Sequence, residues 1–285
     1  RDGKPFFPIG LYHVSRAAGV DAANRLACLD FAARNGYNLI LMATIGDAED
    51  DRFMAEAEQR GIALFCDVKT MDTIAAKRNQ WPAVVSWMHE LDEPEHWGYS
   101  RDDVLKRADA IYRLDPKSVV FSSMETTSTI VSYSGAVDLM ATSGYPIPHN
   151  PLCLVFDKMK LLTAAAEQYM FVPLATIQSF GYPRPEDKAG GYPGLPTPQE
   201  IRNMTWQALL NNVRGINYYT YADGAFRLEE YPELHQCMEH MPEEINLAVP
   251  FLRGNDFTRL ATGDPDIEGG TWKLSGRVLT VYVNL

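Results

Sequence analysis

Positive charge is scarce in this sequence. Against 37 Asp and Glu there are 26 Lys and Arg, so the 285 residues carry a net charge of −11 at pH 7. That balance argues against nucleic acid and against an anionic membrane surface as partners. No Lys/Arg cluster offers a local basic patch, so a strongly anionic polymer such as a sulfated glycan is disfavoured as well. A neutral or cationic small partner fits better. Cysteine is also sparse: Cys28, Cys66, Cys153 and Cys237 form no CxxC pair, which excludes a zinc ribbon and a dithiol redox motif. They read as buried thiols and leave the redox compartment open. No apolar run reaches the roughly 20 residues that a membrane helix needs. No GxGxxG follows the first strand-like run, so no dinucleotide site is indicated and no cofactor is expected. No leader pattern opens the chain, and the last run, residues 278–285, stops in mid-strand; a native chain extending beyond these limits is expected.

Hydrophobic residues make up 46% of the chain, enough for a packed core. Strand-like and helix-like runs alternate. Strands are expected at residues 6–14, 37–44, 62–68, 84–91, 118–124, 137–142, 171–180 and 213–221. Helices are expected between them, the first capped by Asp21 and the seventh opened by the capping box Thr197-Pro198-Gln199-Glu200. Eight such units without a composition break predict a (β/α)8 barrel over residues 1–254 rather than a doubly wound open sheet. Residues 255–285 form a small β-rich segment, with a hairpin turn at Ser275-Gly276.

Active residues of such a barrel sit where its strands end. The expected ends offer Tyr12 and His13, Asp67, His89 with Asp92 and Glu93, Glu125, Tyr145 with His149, Gln178, and Tyr219, Tyr221 and Asp223. Acids can do proton transfer on an acetal, aromatic faces can stack on sugar C–H surfaces, and amides can bind hydroxyls. The absence of a cationic clamp counts against phosphorylated substrates. Asp92-Glu93-Pro94 is the sharpest signal. Adjacent acids ending an apolar strand are costly unless solvated or paired. One carboxyl of the pair can be held protonated by its neighbour's charge and by an apolar wall from Trp87, as a general acid requires. The plainer reading is a loop-start acid pair that caps the next helix or pairs with Arg101. Trp87 itself reads as core or as a stacking platform, and Tyr182 and Tyr192 lie on loops over the same face.

Asp2-Gly3-Lys4-Pro5-Phe6-Phe7-Pro8-Ile9-Gly10 resembles the opening of many clan A barrel glycoside hydrolases. Trp87 through Asp92-Glu93-Pro94 is similar to their fourth-strand motif. Ser143-Gly144-Tyr145-Pro146, Ile177-Gln178-Ser179-Phe180 and residues 215–221 are similar to their later strand ends. The matches are short, and their order over residues 2–223 carries the resemblance. It implies a glycosidase acting on a glycan or oligosaccharide, Glu93 as acid/base, a carbohydrate partner, and a secreted or periplasmic setting. The sequence departs from the family where strand seven should supply a nucleophilic Glu, because Gln178 stands there. Glu125 or Asp223 is then the candidate second carboxylate, with Tyr12, His13, His89, Asp92, Tyr145, Gln178 and Tyr221 as candidate substrate contacts. A non-catalytic carbohydrate-binding barrel is the alternative. A metal-dependent hydrolase using His13, Asp67, His89 and Glu93 is a third, with no metal expected on the leading reading.

Overall fold

A computed structural model describes residues 6–14, 22–43, 48–182, 194–224 and 226–285. The expected turn at residues 2–5, the Asp21 cap and Tyr192 lie outside the described residues. Eight parallel strands form one sheet: β1 (Ile9–Tyr12), β2 (Leu39–Ala43), β3 (Ala63–Asp67), β4 (Val84–Met88), β5 (Phe121–Met124), β6 (Leu139–Gly144), β7 (Val172–Gln178) and β8 (Ile216–Tyr219). Helices α1 (Ala22–Asn35), α2 (Ala48–Gln59), α3 (Met71–Lys77), α4 (Arg101–Leu114), α5 (Thr127–Tyr133), α6 (Cys153–Tyr169), α7 (Pro198–Leu210) and α8 (Pro232–Leu252) follow them in turn. The expected strand order is present, with most strands shorter than the apolar runs that announced them and β6 shifted two residues later. No helix among the described residues is long and apolar enough to cross a membrane.

The sheet runs β4-β3-β2-β1-β8-β7-β6-β5, so β1 pairs with β8 and the barrel is nearly closed. Its seam lies between β4 and β5. There the ladder is reduced to two isolated parallel bridges, Ser86 with Val119 and Asp92 with Ser123. Ser122 Oγ donates to Leu91 O at 2.6 Å and the Glu93 amide to Ser123 O at 3.0 Å, which keeps the two strand ends together at the mouth. The Asp92-Glu93 pair therefore emerges at the seam, where backbone pairing is thinnest.

Helix starts follow their local chemistry. Thr197 and Glu200 form the expected capping box, and Ser100 and Asp103 form a second one at α4. After β8 a two-stranded ribbon, β9 (Ala222–Asp223) and β10 (Phe226–Arg227), returns the chain toward α8. A three-stranded antiparallel sheet closes the chain: β11 (Phe257–Leu260), β12 (Ile267–Leu274) and β13 (Arg277–Asn284). Ser275 and Gly276, both at positive φ (49° and 78°), make the hairpin turn between β12 and β13. This sheet is seated on the barrel: Trp272 is buried against Phe257, Arg259 donates to Leu210 O, and Asn203 of α7 donates to Asn284 O.

Inside the barrel β1 and β8 approach closely at Gly10, which is in register with Asn217. A Cβ on Gly10 would stand 2.3 Å from Asn217 Oδ1. Gly10→Ala is expected to cost about 1–3 kcal/mol through overpacking, measured as a lower urea midpoint with an unchanged m-value; wild-type stability in the variant would show that the interior can yield.

Candidate active site at the barrel mouth

Asp92 and Glu93 follow β4, and consecutive side chains diverge to opposite sides. Asp92 turns toward β1 and β8, and Glu93 toward β5. Each meets an imidazole.

On the β1 side, His13 is buried and sits at φ 46°. Its Nε2 lies 3.5 Å from Asp92 Oδ2 and its Nδ1 3.1 Å from Asp223 Oδ2. The Tyr12 hydroxyl donates to Asp92 and the Tyr219 hydroxyl to Asp223. Burial works against charge on His13, but its hydrogen bonds to Asp223 and Asp92 outweigh that and raise its pKa. Burial likewise opposes ionisation of Asp223, yet the bonds from His13 and Tyr219 bring its pKa down to about 2. Asp223 is thus held ionised.

On the β5 side, Glu93 opens a turn. The His96 amide donates to Glu93 O at 2.9 Å. Pro94, at the second position of that turn, has its φ preset for it. The turn folds His96 back over Glu93, placing Nδ1 3.1 Å from Glu93 Oε2. The other ring nitrogen, Nε2, lies 2.5 Å from Glu125 Oε2. Burial and then the Asp92 charge raise the Glu93 pKa to about 7, with His96 opposing them. Glu93 itself adopts φ 53° and Glu90 φ 55°. With His13, three non-glycine residues in the left-handed region thus cluster at one end of the barrel, and such strain persists where surrounding structure enforces it.

An aromatic wall faces the acids. Tyr219 is within 5.4 Å of Tyr12, 5.6 Å of Tyr145 and 5.2 Å of Phe180, centroid to centroid. Phe180 continues the wall to Tyr182, and Tyr182 to His149. One side of the mouth therefore presents carboxylates and the other presents ring faces.

Several expected roles are corrected. Gln178 is fully buried and its amide is spent on backbone: Oε1 accepts from the Ile147 amide at 3.0 Å, and Nε2 donates to Ile147 O and Phe180 O. It braces the loop after β6 instead of touching a ligand. Tyr221 points outward, packing on Phe31 and donating to Glu229 at 2.6 Å. Strand alternation had left open which of Tyr218, Tyr219 and Tyr221 faces the mouth, and it is Tyr219. Trp87 is buried against Trp81, with its indole N–H on Asp115, so it gives Glu93 no wall. Arg101 donates to Ser134 O, away from the acid pair. Asn203, within a glycosylation-type triplet, is part of α7.

The four residues of the metal reading do not converge. His89 Nδ1 is 3.0 Å from Val68 O, the Glu90 amide is 3.4 Å from Asp67 Oδ1, and His13 and Glu93 belong to different imidazole bridges. Among the described residues no group of three or more His, Cys, Asp and Glu is placed to hold a metal ion. The third acid of the segment, Glu90, binds Arg107 at 2.7 Å and Tyr99, and Arg107 first among these holds its pKa down.

Tyr12, Asp92, Tyr145, Asp223 and Glu93 are brought together, with Glu125 joined through His96. His96, Phe180 and Lys158 were missed as site residues, and Tyr219 was named only as one of the strand-eight tyrosines. The spacing Glu93-Pro94-Glu95-His96 was a legible signal for His96, because proline at the second turn position brings the fourth residue back to the first. A cavity of about 880 Å³ opens at the opposite end of the barrel beside Phe6, Phe65, Val119 and Arg214. Asp115 is its lone acid, and the Trp87 indole occupies that carboxylate. The mouth is the chemically equipped end.

No family model and no curated protein matches the chain. Solved structures share its fold. A β-D-glucuronidase from Dictyoglomus thermophilum superposes with a TM-score of 0.57 at 14% identity, covering 78% of this chain and 45% of its own. An exo-β-1,4-mannosidase from Opitutaceae bacterium strain TAV5 gives 0.55 at 12%, covering 87% and 59%. A putative β-galactosidase from Bacteroides fragilis gives 0.61 at 8%, covering 99% and 55%. The chain has the (β/α)8 barrel found in these glycoside hydrolases. It spans between about half and three fifths of their length.

A carboxyl whose folded pKa is raised stabilises least once it ionises. The Glu93 contribution is intact below its unfolded value of 4.5 and is lost as pH rises through about 7. Glu93→Gln is therefore expected to raise Tm at pH 8 and to leave it unchanged at pH 4. Equal Tm values for the two proteins at pH 8 would show that Glu93 is ordinarily solvated.

Proposed function

We propose that this chain is a glycoside hydrolase acting on a glycan or oligosaccharide, with Glu93 as its general acid. One feature carries the reading: burial and the charge of the adjacent Asp92 raise the Glu93 pKa to about 7, and Asp92 is in turn bonded by the Tyr12 hydroxyl and faced by His13. Divergent environments for neighbouring carboxyls are what acid catalysis of an acetal requires. The facing aromatic wall suits the C–H faces of a sugar ring, and Asp92 and Asp223 supply negative charge near a developing oxocarbenium ion. The three structural neighbours carry the names of glycosidases.

Glu93 gives its proton to the glycosidic oxygen as the bond to the anomeric carbon lengthens. Tyr12 and His13 brace Asp92, and its charge favours return of the Glu93 carboxyl to its protonated form after each turnover. β7 supplies no carboxylate to attack the anomeric carbon, since Gln178 is buried and spent on backbone. That same observation supports the second reading, a carbohydrate-binding barrel without turnover.

A panel of 4-nitrophenyl glycosides (glucoside, galactoside, mannoside, xyloside, fucoside and glucuronide) separates the two. Hydrolysis by wild type and a loss of about 10²–10⁴-fold in kcat/KM in Glu93→Gln, with an unchanged circular dichroism spectrum, supports the acid. Full activity in that variant sinks the assignment, and glycan binding without product favours the binding barrel. The rate should also fall as pH rises through about 7, because the acid must be protonated to act. A rate that climbs across that interval would contradict a protonated Glu93.

A further inference from the structure

The cavity at the foot of the β4–β5 seam has no part in the chemistry of the mouth, and its lining suits a different kind of ligand. Its walls are apolar: Phe65 comes from β3, Val85 from β4, Val119 from the run leading into β5, Leu139 from β6 and Val172 from β7. Phe65 is buried, but Val85, Val119 and Leu139 are partly open and Val172 is exposed, so apolar surface faces water inside a concavity. At about 880 Å³ the cavity falls within the roughly 300–1,000 Å³ of small-molecule sites. Partners for hydroxyls are few, since the Ser118 hydroxyl already donates to Val119 O and accepts from the Trp87 amide.

The charge of the cavity runs against that of the chain. The chain carries a net −11, yet the cavity is lined by three cations, Arg78, Lys117 and Arg214, and by one acid, Asp115. The cations are remote in sequence, so no basic run announces them. Folding gathers them because they precede β4, β5 and β8, and those strands all start at this end. Both Asp115 oxygens are taken, Oδ2 by the Trp87 indole at 2.9 Å and Oδ1 by the Lys117 amide at 3.2 Å. No ion pair holds any of the three cations among the described residues.

Arg214 stands out among them. It is half-buried, and loss of water around it lowers its pKa. Its guanidinium gives two N–H groups to neutral oxygens, Leu252 O at 2.9 Å and Asn255 Oδ1 at 3.4 Å. A guanidinium has five such donors. A partly desolvated cation with donors to spare gains most from an anion, and its planar fork matches a carboxylate.

We propose that this cavity binds an amphipathic organic anion, a small molecule with an apolar alkyl or aryl body and one carboxylate head. The body lies against Val85, Val119 and Leu139, and the head meets Arg214. Glu93 acts at the other end of the barrel, so this site stands or falls separately from the acid.

Three probes of equal chain length test the site by calorimetric titration into the whole chain at neutral pH: octanoate, octan-1-ol and octylammonium. Octanoate should bind one per chain and about 10–100-fold more tightly than octan-1-ol, the margin that hydrogen bonds to a charged group supply. Octylammonium should bind more weakly than either. Octanoate binding no tighter than the alcohol, or no binding of octanoate at all, overturns the proposal. Arg214→Gln should remove most of the octanoate advantage and leave the affinity for octan-1-ol unchanged; an undiminished advantage places the head elsewhere and refutes the assignment. Wild-type methyl NMR locates the ligand even if that variant does not fold. Octanoate should shift the methyl signals of Val85, Val119 and Leu139, whereas shifts confined to residues at the barrel mouth would show that the cavity is not its site.

Discussion

Two adjacent carboxylates at the end of one strand must each find a counter-charge, and the mouth of this barrel is organised by that demand. Asp92 and Glu93 project to opposite sides of the chain, and each is met by an imidazole that reaches a second acid beyond it. Asp92 is linked through His13 to Asp223, and Glu93 through His96 to Glu125. The two bridges differ in burial. His13 is enclosed, so its charge is fixed by the carboxylates on either side. His96 is half-exposed and can exchange protons with solvent. The buried bridge holds Asp223 ionised, while at the exposed one the Glu93 pKa is raised to about 7. Two residues of the same chemical type thereby acquire different states.

The barrel seam is part of the same arrangement. A complete β4–β5 ladder would bind the backbone of residues 89–93 into the sheet. Here only two bridges cross the seam, and the chain is free to enter positive φ at Glu90 and Glu93 and to turn at Pro94. Side-chain bonds replace the missing ladder, Ser122 to Leu91 O and Glu95 to the amide of Glu125, while Lys158 ties the end of β5 to that of β6. The opposite wall is held by β1–β8 pairing and by Tyr219, which stacks with Tyr145 and Phe180 while its hydroxyl braces Asp223. Gln178 completes the frame from below by clamping the loop after β6. The end of β7 is thus turned to scaffold use.

The alternation of eight strand-like and helix-like runs was legible from sequence because apolar periodicity is a local property. So were the Thr197 capping box and the Ser275-Gly276 hairpin, whose chemistry lies within four residues. The Asp92-Glu93-Pro94 segment marked the working end for the same reason: a strand that stops at two acids and a proline needs water or a partner there. The Tyr221 assignment failed because strand alternation gives two faces without saying which one looks inward. That choice rests on the register between β1 and β8. Trp87 failed likewise: it lies five residues before Asp92, yet its indole packs deep beside Trp81.

By itself, then, the sequence determined a (β/α)8 barrel and pointed to the Asp92-Glu93 end of it, since both depend on residues near one another in the chain. Only the tertiary structure decided the company of those acids. His13 and Asp223 are 210 residues apart, His96 and Glu125 are 29 apart, and Gln178 reaches a backbone 31 residues away. No local pattern encodes such pairings. They exist because closing the sheet brings the ends of β1, β4, β5 and β8 to one rim, where charges that are remote along the chain must neutralise one another.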